Sequence, residues 1–201
     1  MSNPFHMSKA RVETLVDGVF AIAMTLLILE VKVPELANPK SATELLSSLH
    51  HALPTAIAYF LSFFMLGLFW VWHHRLAEKV TVFDAPLLAI TFAFLALVSS
   101  FPFAAALFGR YLGNIGTLVV YMPVVGLILF CQVVFLVIAR NRGLLRGDIE
   151  PPEIRTAHKR NLMGLAVFIV GAIPAALPFG LVSTIVVASF AALAFTVYKR
   201  A

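Results

Sequence analysis

Residues 53–74 read LPTAIAYFLSFFMLGLFWVWHH and include no Asp, Glu, Lys or Arg. A transmembrane helix needs about 20 consecutive, mostly apolar residues, so this stretch predicts a helix that crosses a bilayer. The rest of the chain is similar in character: 61% of its 201 residues are hydrophobic and 12% are charged. This composition is more apolar than a soluble domain requires, and we expect the chain to act in or across a membrane.

Working outward from this stretch, we find five further apolar segments. They predict an all-α integral membrane protein with one domain, residues 1–201, and six transmembrane helices at roughly 12–33, 53–74, 84–107, 115–139, 161–177 and 179–198. The first segment lacks a cleavage pattern of small residues after it, so we expect it to be retained.

The prolines fit these predicted helices. Pro34 closes the first helix, and Pro54 and Pro86 fall in first turns, where a missing N–H is tolerated. Pro102 and Pro123 lie inside spans, where neighbouring helices must satisfy the freed backbone groups. Residues 38–51 resemble a helix start and predict a short interfacial helix.

Lysine and arginine are unevenly distributed between the two sides of the predicted bundle. With the N-terminus inside, 12 of them lie on the inner side and three on the outer side, at Lys32, Lys40 and Arg110. Inner loops of membrane proteins are enriched in these residues, so we predict that both termini are cytoplasmic. Because these basic residues do not form a patch with interleaved aromatics, we expect no nucleic-acid partner.

Catalytic and metal-binding patterns are weak in this sequence. Cys131 is the only cysteine and lies in an apolar run, so we interpret it as a packing residue. No nucleophile with a matching base is evident, and the adjacent His73 and His74 point to different sides of a helix. We therefore expect no enzyme activity, metal site or cofactor.

The first predicted helix carries an aliphatic stripe. At 100° per residue, Ile22, Leu26 and Leu29 lie within about 60° of one another, with Thr25 beside them. Leu15 and Gly18 extend the stripe toward the cytoplasm. The commonest meaning of such spacing is a packing face.

Asp17 lies about 140° from that stripe. An ionisable group so close to an apolar run usually faces a protein interior and has a partner. We expect the partner at the same membrane level, in residues 70–75 (WVWHHR), where a histidine or the arginine could neutralise the carboxylate. Asp17 then serves either as a packing anchor or in catalysis or ion binding.

Residues 11–27, RVETLVDGVFAIAMTLL, resemble the signature of bacterial members of the transmembrane-protein-175 family of potassium channels. That signature has Arg, three variable residues, Phe-Ser-Asp and an apolar helix, and this chain has Leu15 and Val16 in place of Phe and Ser. The segment from Trp70 to His74 and the run from Ser100 to Phe103 resemble motifs of the second and third helices.

The resemblance implies a homotetramer in the plasma membrane, the inner membrane of the cell, with a central pore lined by the first helix. K⁺ is then the permeant ion, and no Thr-Val-Gly-Tyr-Gly filter occurs in the sequence. The resemblance places the pore constriction at Ile22, Leu26 and Leu29, with Thr25 as the flanking hydroxyl. We interpret a polar network as holding this helix in place; its members are Arg11, Asp17, Trp70, His73 and His74.

Two other membrane functions remain open on the sequence. A proton-coupled secondary transporter needs polar groups at the midplane, and the spans offer mainly Thr and Ser besides the peripheral Asp17. A membrane protein that does not conduct ions is the other alternative.

Overall fold

A computed structural model of the chain describes residues 6–111, 114 and 116–147. Its elements are two short strands, four α-helices and a 3₁₀ turn: β1 His6–Met7, α1 Lys9–Leu26, the turn Leu27–Glu30, α2 Ala42–Ala77, β2 Phe83–Asp84, α3 Ala85–Arg110 and α4 Gly116–Asn141. Four helices, the first counted with its turn, are long and apolar enough to cross a membrane. They occupy the places of the first four predicted spans, and the fifth and sixth predicted spans lie outside the described residues.

The first helix is shorter than the sequence predicts at its C-terminal end. Its α-helical part ends at Leu26, and the 3₁₀ turn continues only to Glu30, where the prediction runs to residue 33. Val31 is already extended, with φ −82° and ψ 90°. The β-branched Val31 and Val33 disfavour helix, and Pro34 drives the residue before it out of the α region.

The second helix is longer than predicted and runs unbroken for 36 residues. It begins after Ser41, whose hydroxyl accepts a hydrogen bond from the Glu44 amide at 3.3 Å. The Glu44 carboxylate in turn accepts from the amides of Ala37 and Asn38, at 2.6 and 3.0 Å. The predicted interfacial helix is therefore the first part of α2.

Pro54 was expected in the first turn of its helix, and that expectation is wrong. It lies inside α2, where it removes one backbone hydrogen bond without ending the helix. At 1.5 Å per residue α2 is about 54 Å long, more than the hydrocarbon core of about 30 Å. Part of α2 therefore reaches beyond that core.

The third helix lies at the centre of the described bundle and packs against α1, α2 and α4. At its start Asp84 accepts a hydrogen bond from the Leu87 amide at 3.1 Å, and Pro86 lies in the first turn, as predicted. Aromatic rings fill the contacts, with Phe94 at 5.7 Å from Phe20 and Phe101 at 6.1 Å from Phe69. Tyr121 of α4 lies 5.4 Å from Phe101.

One end of the bundle is joined by a loop cluster, which we define as residues 6–7, 79–84 and 142–146. Strand β1 pairs antiparallel with β2, with His6 opposite Asp84. The amide and hydroxyl of Thr81 both donate to the Leu144 carbonyl, at 3.0 and 3.1 Å. The buried Asp84 also forms an ion pair with Arg142. The cluster therefore connects the start of α1 to the facing ends of the other three helices.

Helices α2 and α3 approach each other closely at Gly109. A Cβ atom placed there would lie 2.9 Å from the Cβ of Ala58, and Thr55 is beside it. We therefore expect Gly109→Ala to lower the free energy of unfolding by about 1–3 kcal/mol, because the added methyl group fits only if one of the two helix backbones shifts.

Gly126→Ala on α4 is the matched control, since a Cβ at Gly126 meets nothing within 4 Å. Alanine is the better helix former, so this variant should be about 0.5–1 kcal/mol more stable than the wild type. The measurement is denaturant or thermal unfolding of the purified protein in detergent. Equal changes for the two variants would contradict the close approach.

Candidate functional site

The first helix has one buried and one uncovered face. Its buried side chains pack on α2 and α3; they are Val12, Val16, Phe20, Ala23 and, in the turn, Leu27. On the opposite face Ile22, Leu26 and Leu29 are 62%, 44% and 62% exposed. Within the described part of the subunit this stripe is not a packing face.

The uncovered face continues along the whole of α1. Leu15, Gly18 and Arg11 are exposed toward its N-terminal end. At the other end the 3₁₀ turn brings Ile28, 46% exposed, beside Leu29, because a 3₁₀ helix turns further per residue than an α-helix. Among the described residues, nothing covers this apolar surface.

Thr25 supplies the hydroxyl on this face. Its Oγ1 donates a hydrogen bond to the carbonyl of Ile22 at 2.9 Å, within the same helix. The hydroxyl oxygen keeps its lone pairs, and it can therefore accept a hydrogen bond from water or contact a cation.

Asp17 is joined to α2 by Trp70, whose indole N–H donates to Oδ1 at 2.7 Å. The predicted partner segment, residues 70–75, is therefore confirmed, but the residue that binds Asp17 is Trp70 and not a histidine or Arg75. Trp70 also stacks on His74 at 5.7 Å, and His74 lies 3.5 Å from Glu78. A hydrogen bond to a charged carboxylate is stronger than one between neutral groups, so this contact ties α1 to α2.

The two adjacent histidines lie in different surroundings. His73 is only 2% exposed and stacks face to face with Phe94 at a ring distance of 4.4 Å. The Phe135 ring is tilted against it, with ring centroids 5.3 Å apart. Neither ring nitrogen has a hydrogen-bond partner among the described residues. His73 is therefore packed in the core beside the Asp17–Trp70 pair and is not hydrogen-bonded to it.

Arg11 does not join the other members of the predicted network. Its side chain is exposed near the start of α1, and within residues 6–111, 114 and 116–147 it forms no ion pair with Asp17. The two residues are six positions apart, which does not bring side chains together on one helix. Of the five network residues, the structure joins Asp17, Trp70 and His74.

The sequence reasoning missed the pair of Asp84 and Arg142. Asp84 is two residues before Pro86. This spacing is typical of a helix start, so the capping role of Asp84 can be predicted from the local sequence. The partner is 58 residues away in sequence, and no spacing rule indicates it.

Comparison with known proteins identifies the family of this chain. The model of the family described as "Endosomal/lysosomal potassium channel TMEM175" matches residues 11–102. A potassium channel of Streptomyces collinus is 32% identical over 163 residues, which are 77% of this chain and 76% of that protein. The chain belongs to the TMEM175 family. This family is one of ion channels and not of enzymes.

The fold agrees with that assignment. The crystal structure of a lysosomal potassium-selective channel TMEM175 homolog from Chamaesiphon minutus superposes with a TM-score of 0.79 at 27% identity, covering 95% of this chain and 97% of that one. The human endosomal/lysosomal proton channel TMEM175 is 37% identical over 103 residues, 49% of this chain. The chain spans about one fifth of that human protein's length, since 20% of it is matched.

The hydrogen bond between Asp17 and Trp70 generates a prediction. Trp70→Phe keeps the ring but removes the N–H, and we expect it to lower the free energy of unfolding by about 1.5 kcal/mol. Asp17→Asn keeps an acceptor oxygen and should cost less than Asp17→Ala. The measurement is a double-mutant cycle of Trp70→Phe with Asp17→Ala, read by unfolding in detergent.

The losses in free energy of unfolding of the two single variants should add up to more than the loss in the double variant, since each single substitution removes the same hydrogen bond. The control cycle combines Trp70→Phe with Asp84→Asn, which lies in the separate pair with Arg142 and should be additive. Additive losses in the first cycle would show that the bond does not hold α1 to α2.

Proposed function

We propose that this chain forms a potassium-selective channel whose pore runs along the uncovered face of α1. The observation that carries the proposal is the exposed stripe Ile22, Leu26 and Leu29 on a helix whose other face is fully packed. Membership of the TMEM175 family and the likeness to a potassium-selective homologue support it.

We infer that the channel is a homotetramer of six-helix subunits. One helix face cannot enclose a water-filled path, so several copies of α1 must meet around an axis, and closed rotational symmetry is the usual arrangement of identical subunits. Placed around that axis, the aliphatic stripes of the copies form stacked rings. In this arrangement they no longer need lipid to cover them.

Ile22 is proposed as the narrowest ring. A narrow ring of aliphatic side chains excludes water, and an ion must shed part of its hydration shell to pass it. Because K⁺ gives up water at lower cost than Na⁺, such a ring favours K⁺. Thr25 lies one turn further along, and its hydroxyl oxygen can contact the partly dehydrated ion.

The proposed orientation places both termini and the loop cluster in the cytoplasm of a bacterial cell, with the channel in the plasma membrane. Basic side chains support it. The end of the bundle with the loop cluster carries more of them than the opposite end, which carries Lys32, Lys40 and Arg110; those near the cluster are Lys9, Arg11, Arg75, Lys79, Arg140, Arg142 and Arg146. This asymmetry is the one that the positive-inside rule describes.

Proton conduction is the second candidate, favoured by the human relative named a proton channel. The rings of Ile22, Leu26 and Leu29 offer no group that binds and releases a proton, and this argues for K⁺ as the main permeant ion. A pH-sensitive dye inside liposomes distinguishes the two ions directly.

Flux through liposomes tests the proposal. The wild type should carry K⁺ faster than Na⁺, and Ile22→Asn should reduce this preference, because a polar ring lowers the barrier for hydrated ions. Ile57→Asn on α2 is the matched control, since Ile57 is also 62% exposed but is assigned outside the pore. Unchanged selectivity in Ile22→Asn would show that Ile22 is not the selecting ring. Absence of ion flux in the wild type would favour a transporter or a non-conducting protein.

Cysteine accessibility tests the pore face independently of selectivity. In a Cys131→Ser background, Leu26→Cys should be modified by a cationic methanethiosulfonate reagent from the water phase, and K⁺ flux should fall. Oxidation should also link copies into disulfide dimers on a gel, because the copies face one axis. Phe64→Cys, 61% exposed on α2, should show neither effect. Identical behaviour of both variants would contradict a pore along α1.

A further inference from the structure

We propose that a pocket between α1 and α2 binds one water molecule that links His73 to Asp17. The pocket lies beside the Asp17–Trp70 hydrogen bond, and Val16 and Glu13 also line it. This inference concerns how α1 is held on α2 and does not rest on the proposed channel activity.

His73 is the group that needs such a partner. A neutral imidazole has one N–H donor and one acceptor nitrogen, and both nitrogens of His73 are buried without a partner among the described residues. Leaving buried polar groups unsatisfied is costly. The ring cannot turn away, because Phe94 covers its face at 4.4 Å and Phe135 borders it at 5.3 Å.

Suitable acceptors line the same pocket. The Asp17 carboxylate uses Oδ1 for the Trp70 indole, and within the described residues its Oδ2 receives no hydrogen bond. Glu13 adds a second carboxylate, which lies 3.7 Å from the Lys9 ammonium. A buried water needs two to four polar partners, and His73, Asp17 and Glu13 provide that number.

The size of the pocket selects water over a larger ligand. About 10 Å³ is available to the centre of a water molecule, which is the room that a single water needs. An organic molecule needs more room than this. Water is also the ligand that can both accept a hydrogen bond from an imidazole N–H and donate one to a carboxylate, and this matches the unpaired groups of the pocket.

The direct test is an experimental structure of the full-length protein at a resolution that shows single waters elsewhere in the molecule. We expect a density peak within about 2.7–3.2 Å of a His73 nitrogen and of an Asp17 or Glu13 oxygen. His73→Phe should lose this peak. An empty pocket in the wild type overturns the proposal, as does a peak that grows when Rb⁺ replaces K⁺, which identifies a cation.

A stability measurement gives a second, independent test. Val16 and Val98 are both buried helical valines, and threonine has nearly the shape of valine but adds a hydroxyl. Val98→Thr buries that hydroxyl in apolar core, whereas Val16→Thr places it in the pocket beside the proposed water. We expect Val98→Thr to lower the melting temperature by about 2–4 °C more than Val16→Thr does. Equal losses overturn the proposal, because they indicate a dry pocket.

Discussion

Close packing around α3 is the constraint on which the rest of the subunit depends. In a bilayer, lipid tails are as apolar as leucine, so helices associate through van der Waals contact and a few polar bonds. The described helices meet that requirement with interlocked aromatic rings around Phe94 and Phe101 and with the close approach at Gly109. Because α2 and α3 cover α1 from one side only, the opposite face of α1 is uncovered among the described residues.

The polar contacts are few, and the strongest of them lie toward one end of the bundle. Asp17 with Trp70 joins α1 to α2, and Asp84 joins the start of α3 to the residue that follows α4, Arg142. Each is a charge-assisted contact between residues far apart in sequence, and such contacts fix the relative height of two helices in a way that apolar surfaces do not. Within the described part of the chain the C-terminal half of α1 has no equivalent, and after Leu26 its α-helix changes to a 3₁₀ turn.

Much of this fold can be predicted from the chain, since hydrophobic length alone locates the four described helices in order. The boundaries are less predictable. Pro54 was placed in a first turn because that is where proline costs least, yet α2 continues through it from the cap at Ser41. The helical wheel of α1 correctly places Asp17 and Ile22 on different faces. Which of these faces is uncovered depends on tertiary packing. The segment that partners Asp17, residues 70–75, was predicted correctly, but Trp70 could not be singled out within it, because several polar residues share one turn and only geometry distinguishes them.

The loop cluster has a consequence for how the protein is made. Strand β1 directly precedes the first helix, but its partner β2 is about 75 residues further along, and the Leu144 carbonyl that holds Thr81 comes after the fourth helix. During synthesis α1 therefore enters the bilayer before any of these bonds can form. The cluster closes only once the ribosome has completed α4, so the four helices become a joined unit late, after their individual insertion.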